Sequence, residues 1–145
     1  MREKLPVDRS GVTQKFTIFA REEDEDTHEA RIVEKDIYLT ANTYPDGRLG
    51  ELFIHIGKAG HTEGVYNEWA KGVSRSLQHG IPVDELFRQH VGTRFAPEGA
   101  TTNKEFPRCT SILDLVSRWI LSRYGSPAAK HWIESMKRTE EPVQP

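Results

Sequence analysis

The chain has 145 residues, of which 36% are hydrophobic and 29% are charged. A chain of this length forms one domain that buries roughly 70% of its unfolded surface, so its stability requires neither a metal nor a disulfide. Its 20 basic and 22 acidic residues give a net charge of -2, which excludes a positive field that would gather nucleic acid non-specifically.

The first 30 residues predict little regular structure. Residues 1–13 include Pro6, Gly11 and several charges, and we expect them to form an extended arm. Residues 16–19 (Phe-Thr-Ile-Phe) are β-prone and predict a short strand. Residues 21–30 are an acidic run without an apolar period, which indicates a mobile, solvated loop. The run lacks the glycine and the spaced carboxylates of a calcium loop.

The next segment predicts a β-hairpin. Residues 37–44 alternate between apolar and polar side chains, as do residues 52–56. Between them, residues 45–47 (Pro-Asp-Gly) predict a turn in which Gly47 takes a positive φ. Both strands of the hairpin therefore follow from local patterning.

Helices are expected over most of the remainder, separated by a long loop at residues 92–109 that contains Pro97 and Pro107. We expect the first helix between Thr62 and Gly80, the second after Pro82, the third from Thr110 or Ser111, and the fourth from residues 126–127. Their apolar faces are Val65, Trp69, Val73 and Leu77; Val83, Leu86, Phe87 and Val91; Ile112, Leu115, Val116, Trp119 and Ile120; and Ala129, Trp132, Ile133 and Met136.

Strands early in the chain and helices late indicate an α+β fold. We expect an antiparallel sheet with a central hairpin and about four helices on one face, forming a single domain over residues 14–138. Residues 139–145 predict a frayed tail. Should the apolar side chains Trp132, Ile133 and Met136 be exposed on the fourth helix, they would suit a partner in a homodimer.

Several motifs, in the same order, resemble the C-terminal accessory domain of cobalamin-dependent (class II) ribonucleotide reductases, often called the TSCPD domain. They lie at residues 5–9 (Leu-Pro-Val-Asp-Arg), 13–18 (Thr-Gln-Lys-Phe-Thr-Ile), 44–54, 57–60 (Gly-Lys-Ala-Gly), 80–86, 93–99 and 111–124. The resemblance spans residues 5–124 and implies the domain's fold. The Ser-Cys-Pro-Asp of the family's name is absent, because residues 109–114 read Cys-Thr-Ser-Ile-Leu-Asp, and the acidic run is a further departure.

The resemblance does not extend to the reaction of these reductases. In the family, ribonucleotide reduction takes a thiyl-forming cysteine, a reducing cysteine pair and a carboxylate base in a barrel, with adenosylcobalamin as the radical source. This chain has one cysteine, Cys109, and we expect it to be a stand-alone relative without the barrel. We therefore expect no catalysis and no cofactor. The lone cysteine also excludes an intramolecular disulfide and a Cys-x-x-Cys pair.

Two segments of the matched region are candidate anion sites. Residues 57–62 (Gly57, Lys58, Ala59, Gly60, His61 and Thr62) lead into a helix, whose backbone amides and positive dipole could hold a phosphate beside Lys58. The spacing is not that of a P-loop, and a tight turn capped by Thr62 is the favoured alternative. Arg94, beside Phe95, could stack on a base or hold a phosphate. The favoured alternative is that Phe95 anchors the loop on the core while Arg94 pairs with an acid or caps a helix carbonyl. A shared pocket is expected only if both segments meet.

Other chemistry receives little support. The six histidines (His28, His55, His61, His79, His90 and His131) lack metal-ligand spacing, and no Gly-x-Ser-x-Gly elbow occurs. Cys109 precedes an apolar helix, where its pKa could be lowered, although burial as a small apolar residue is favoured. With no apolar N-terminal segment and no spanning run, we expect a cytoplasmic protein without membrane contact.

The functional hypothesis is a non-catalytic accessory module. It would bind a second copy of itself, a reductase catalytic subunit in trans, or a nucleotide. The alternative is a regulator that reuses the fold to bind a small ligand or nucleic acid. A hydrolase or transferase is disfavoured because no nucleophile and base occur in a recognisable arrangement.

Overall fold

The computed structural model describes residues 1–57 and 61–140. The elements in chain order are strands β1 (Ser10–Glu23), β2 (Ala30–Thr43) and β3 (Leu49–Ile56), helices α1 (His61–Gln78) and α2 (Val83–Phe87), strands β4 (Gly99–Thr101) and β5 (Arg108–Cys109), and helices α3 (Ile112–Tyr124) and α4 (Pro127–Glu140). The strands form one antiparallel sheet in the order β3-β2-β1-β4-β5. The expected α+β fold is confirmed. None of the helices in the described ranges is long and apolar enough to cross a bilayer.

Strands β1 and β2 form a long hairpin where the sequence predicts only a short strand at residues 16–19 followed by a mobile acidic loop at residues 21–30. Pairing runs from Ser10 opposite Thr43 to Glu23 opposite Ala30, so it begins inside the expected arm and enters the expected acidic loop. Only the six residues between the strands connect them. There Asp24 Oδ1 accepts hydrogen bonds from the backbone N–H groups of Asp26 (2.8 Å) and Thr27 (3.0 Å). These bonds lower the pKa of the Asp24 carboxyl and order the turn.

The predicted hairpin between β2 and β3 is confirmed. Gly47 has φ 92°, and its N–H donates to Tyr44 O at 2.9 Å, which closes the turn. The pairing sets one apolar row across three strands, because Phe16 lies opposite Ile37 and Ile37 lies opposite Ile56. All three side chains are buried. This face of the sheet is the core face.

Helices α3 and α4 bury their apolar sides in the same core cluster as that face. The ring of Trp119 meets the ring of Phe16 edge-on, with centroids 6.2 Å apart. Helix α1 lies along the outer edge of β3, where Ser74 Oγ accepts a hydrogen bond from Leu52 N at 2.8 Å. The side chain of Ser74 thereby occupies a backbone group that an edge strand would otherwise leave open.

In its first half, the buried stripe of α1 is shifted by one position from the predicted stripe. Val65 is 69% exposed, and the buried stripe consists of Tyr66, Ala70, Val73 and Leu77. Adjacent positions on a helix differ by about 100°, so several stripes fit the same apolar pattern, and packing against β3 selects this one. Gly80 ends the helix region with φ 90°, as expected.

The segment predicted as one loop at residues 92–109 contains the short strands β4 and β5. Ile18 of β1 lies opposite Thr101, and Gly99 lies opposite Cys109. Strands of three and two residues carry too little side-chain alternation to be recognised locally. Long-range pairing to β1 defines β4, and β5 then pairs with β4.

The third and fourth helices begin close to where the sequence predicts. Ser111 Oγ accepts from the backbone N–H of Asp114 and caps α3, and α4 begins at Pro127. The condition for a dimer surface on α4 is not met, because Ile133 is fully buried and Trp132 and Met136 pack against the core. Helix α4 extends to Glu140, and residues 141–145 lie outside the described ranges.

Candidate functional site

The predicted anion site at the turn after β3 is described only in part. Gly57 N donates to Asp36 O at 3.0 Å and continues the pairing of β3 with β2. His61 is the first residue of α1, and the structure describes the backbone, but not the side chains, of His61 and Thr62. Lys58 and Gly60 lie outside the described residues. An anion site at this turn stays a prediction.

Arg94 lies on the other side of the sheet. Its guanidinium Nη1 pairs with Glu98 Oε2 at 2.8 Å, and both side chains are exposed. Phe95 is 42% exposed, so the expectation that its ring anchors the loop on the core is wrong. The loop is held instead by backbone contacts, such as the Phe95 N–H that donates to Thr110 O beside β5. Strands β2 and β1 stand between Gly57 and the Arg94 loop, which at about 4.8 Å per strand separates β3 from β4 by about 14 Å. Of the two candidate segments, Gly57 and Arg94 therefore lie apart, and a shared pocket that includes Lys58 stays untested because residues 58–60 lie outside the described ranges.

Cys109 ends β5 and is buried. Burial is the main cause that raises the pKa of its thiol to about 11, which keeps the sulfur protonated at neutral pH. A protonated, buried thiol is a weak nucleophile. The environment therefore agrees with the interpretation of Cys109 as a small apolar residue and opposes the alternative of a lowered pKa.

A cluster of buried polar groups lies just after Cys109. The Asp114 carboxylate accepts hydrogen bonds from Gly92 N at 2.7 Å, from Thr110 N at 3.1 Å and from an Arg118 Nη2 at 2.8 Å. Asp114 and Arg118 are only 3% and 2% exposed. Ser111 Oγ completes the cluster by capping the helix at Asp114 N. Buried charges are tolerated when they are paired and hydrogen-bonded, as here.

The same cluster holds the Arg94 loop against α3. Thr93 Oγ1 and Ser111 Oγ are hydrogen-bonded at 2.9 Å, and Thr110 Oγ1 donates to Thr93 O at 2.8 Å. Arg118 also donates to Arg108 O of β5. The Asp114 cluster is thus a structural joint between a loop, a strand and a helix.

On the opposite edge of the sheet, a groove of about 650 Å³ lies between β3 and α1. The residues that give it chemical character are Arg2, Phe53, Asn67, Lys71, Arg75 and Gln78. Arg2 belongs to the N-terminal arm, Phe53 to the edge strand, and the others to α1. Its volume is in the range of small-molecule sites, about 300–1,000 Å³.

The face of the sheet that points away from the core is partly open. Lys15, Tyr38 and His55 form one row across β1, β2 and β3, and Phe53 follows His55 on the same face after one intervening residue. Lys15 Nζ lies 5.7 Å from the centroid of the Tyr38 ring, and the rings of Tyr38 and His55 are 6.0 Å apart. His55 Nδ1 contacts Glu63 Oε1 on α1. The row combines aromatic and charged groups, as interfaces commonly do.

No group of three or more His, Cys, Asp or Glu side chains within residues 1–57 and 61–140 could hold a metal ion.

Comparison with known families agrees with the motifs in the sequence. The TSCPD domain matches residues 5–124. The chain belongs to this family. Its relatives include the vitamin B12-dependent ribonucleotide reductases of Rhodopirellula baltica (35% identity over 120 residues), Bradyrhizobium diazoefficiens (37% over 127 residues) and Streptantibioticus cattleyicolor (33% over 119 residues). No solved structure matches the chain.

The matches cover most of this TSCPD domain but little of its relatives. They span 82%, 86% and 81% of the chain, and only 10%, 9% and 18% of the three reductases. The likeness therefore concerns one segment of much longer proteins. It says nothing by itself about which part of their activity the segment serves.

The family's name also points to the buried cluster that sequence reasoning missed. Its letters spell Thr-Ser-Cys-Pro-Asp, and residues 110–114 read Thr-Ser-Ile-Leu-Asp. This TSCPD domain thus retains Thr110, Ser111 and Asp114, which are the three positions of the five that form the hydrogen bonds at the start of α3. A serine followed three residues later by a carboxylate is a helix-capping signal and could have revealed the cluster.

Proposed function

We propose that this TSCPD domain is a non-catalytic accessory module that acts by binding, through contacts with a protein partner or with a nucleotide. The observation that carries the proposal is the state of its single sulfur. Cys109 is the only cysteine of the sequence, and its thiol is buried with a raised pKa. A radical reduction that needs one thiol to form a thiyl and two more to donate electrons has no basis in this chain.

The protein partner we propose is the catalytic region of a vitamin B12-dependent ribonucleotide reductase, because its relatives contain the domain as part of such proteins. The open face of the sheet supports contact with a protein. It presents the row of Lys15, Tyr38 and His55, with Phe53 beside it. Aromatic rings next to a cation give large contact area and directional contacts, which favours partner recognition.

Co-sedimentation with a purified vitamin B12-dependent ribonucleotide reductase tests this proposal. We expect the chain to form no deoxyribonucleotide by itself and to co-sediment with the reductase. Lys15→Glu should weaken this association because it reverses a charge on the open face, whereas Lys130→Ala on the exposed side of α4 should not. Deoxyribonucleotide formation by the chain alone, or binding of neither the reductase nor any nucleotide, would contradict the proposal.

The alternative of a small-ligand regulator is favoured by a separate observation, the groove between β3 and α1. Binding of a ligand there is compatible with the accessory role, because a ligand could stabilise the surface that meets the partner.

A further inference from the structure

We propose that the groove between β3 and α1 binds a nucleoside phosphate. The guanidinium groups of Arg2 and Arg75 would hold the phosphate, and the ring of Phe53 would stack on the base. This inference rests on the proposed function, since it names the ligand of a binding module. It assigns that ligand to a place distinct from the turn after β3.

The charges of the groove favour an anion. Its two carboxylates are each neutralised by a cation, since Glu68 pairs with Lys71 at 2.9 Å and Glu51 pairs with Arg9 at 2.7 Å. The guanidinium of Arg75 is exposed and forms no hydrogen bond or ion pair within the described ranges. Arg2 and Arg75 thus remain as positive charge in excess. Guanidinium groups match phosphate oxygens because they donate two parallel hydrogen bonds.

Arg2 is held in position before any ligand arrives. Its Nε donates to Gln78 Oε1 at 2.6 Å, and Gln78 is only 5% exposed. Gln78 is fixed in turn, because its Nε2 donates to Gly50 O at 3.0 Å and its carbonyl accepts from Glu3 N at 2.8 Å. Within the described ranges the terminal nitrogens of Arg2 form no other hydrogen bond. A fixed donor loses less entropy on binding than a mobile one.

An aromatic wall lies beside these cations. Phe53 is 52% exposed, because it lies on the open face of β3 whereas its neighbours Leu52 and Ile54 lie on the buried face. An exposed ring that borders a groove offers a flat surface on which a base can stack, worth about 1–3 kcal/mol in known complexes. The amide of Asn67, which also borders the groove, can donate to and accept from a base edge or a sugar hydroxyl.

A peptide added as an extra strand fits this groove less well. Strand addition needs the outward backbone groups of the edge strand, and Ser74 Oγ already accepts from Leu52 N and lies 3.2 Å from Leu52 O. Gly50 O is likewise occupied by Gln78. These backbone groups of β3 are therefore already bonded to side chains of α1. The groups that remain for a ligand are the guanidinium groups of Arg2 and Arg75 and the ring of Phe53.

Calorimetric titration of the full chain with each of the four common ribonucleoside monophosphates tests the inference. We expect at least one of them to bind. Ribose 5-phosphate, which lacks the base, and the matching nucleoside, which lacks the phosphate, should both bind more weakly. Arg75→Ala should weaken binding about tenfold or more, because it removes a charged hydrogen-bond donor. Phe53→Ala should weaken it about fivefold or more through loss of stacking.

Two further variants sharpen the result. Arg75→Lys keeps the charge but loses the planar pair of donors, so its affinity should lie between those of the wild type and Arg75→Ala. Lys130→Ala removes an exposed charge on α4 and should leave affinity unchanged. All of these side chains are exposed, so the melting temperatures should stay within about 2 °C of the wild type.

Absence of binding by all four monophosphates, or equal affinity in the wild type, Arg75→Ala and Phe53→Ala, would overturn the inference. So would equal affinity of the chain for ribose 5-phosphate and for the full nucleotide, because the ring of Phe53 would then contribute nothing to binding. These outcomes are separable from failure of the accessory role. If the Arg75→Ala variant no longer binds nucleotide but still co-sediments with the reductase, partner binding is independent of the groove.

Discussion

Around Asp114, beside β5, three donors converge on a carboxylate that solvent does not reach. Beside β3, at the opposite edge of the same sheet, the groove keeps Arg75 in solvent without a partner in the described ranges. In the first region the polar groups are hydrogen-bonded to one another, and these bonds connect a loop, a strand and a helix. The second retains polar groups that an incoming ligand can use. Saturated polar groups indicate a structural joint, and available ones indicate a binding surface.

The largest expected effect separates these two regions by stability. Asp114→Ala removes the carboxylate from the buried Arg118 guanidinium and from the N–H groups of Gly92 and Thr110, so we expect a loss of about 3–5 kcal/mol in the free energy of unfolding. Urea unfolding followed by circular dichroism measures it.

Glu98→Ala is the matched control for that variant. It removes a carboxylate from an arginine at the same sequence separation, but its pair with Arg94 is exposed, so the loss should be below about 1 kcal/mol. Equal losses for Asp114→Ala and Glu98→Ala would show that the Asp114 cluster is not the joint described above.

The second effect concerns pH and the sulfur beside the cluster. The pKa of Cys109 is about 11 in the folded chain, above its ordinary value of 9.0. The unfolded state therefore releases the thiol proton first as pH rises, and the stability that burial of the neutral thiol contributes should decline from pH 9 to 11, by ~2 kcal/mol.

Cys109→Ala isolates this contribution from the tyrosines that also titrate in alkali. Unfolding free energies of both proteins are measured at several pH values between 7 and 11. The difference between wild type and variant should be constant below pH 8 and should fall above pH 9. A difference independent of pH would mean that the thiol is as accessible in the folded chain as in the unfolded one.

A smaller effect is expected at the start of α3. Ser111→Ala removes the acceptor of Asp114 N and a partner of Thr93, so we expect a loss of about 1–2 kcal/mol. Ser135→Ala is the control, because Ser135 is exposed on α4 and bonds only within its own helix. Thermal unfolding of both variants measures the effect, and a loss below that of the control would exclude the capping role.

The smallest effect on stability is expected in the groove. Arg75→Ala should change the free energy of unfolding by less than about 0.5 kcal/mol, since no group in the described ranges forms a hydrogen bond or ion pair with its guanidinium. The same variant should lose nucleotide affinity, so stability and binding respond in opposite ways at the two edges of the sheet. A large loss of stability on Arg75→Ala would remove this contrast and would indicate a structural role for the side chain.

Local patterns were sufficient for the hairpin of β2 and β3 and for the starts of α3 and α4. Alternation over five or more residues, a glycine turn and a serine or proline at a helix start are signals that depend on one strand pair or one helical turn. They were insufficient for β4, whose pairing partner β1 lies about 80 residues away, and for the two-residue β5, which pairs with β4. The apolar stripe of α1 was placed wrongly at Val65 because periodicity alone cannot say which of two adjacent stripes meets β3.

The two regions differ in how far the sequence could reveal them. Ser111 and Asp114 lie three residues apart, so the sequence contains a recognisable capping signal. The hydrogen bond from Gly92 N to the Asp114 carboxylate could not be predicted from that signal. The candidate anion site at residues 57–62 depended on a helix start and stays a prediction. The groove unites Arg2 with Arg75, which are separated by 73 positions, and no local pattern connects them.

By itself, the sequence determined that the fold is of α+β type, that the hairpin of β2 and β3 and the helices lie close to where their patterns begin, and that the chain contains one thiol. These properties follow from short-range periodicity, capping and composition. Only the tertiary structure decided which side chains of α1 are buried, that the Arg94 loop and Gly57 are apart, and which cations border a groove. Those properties depend on contacts between residues far apart in the chain, whose closure is driven by burial of the common core and has no signature within a single segment.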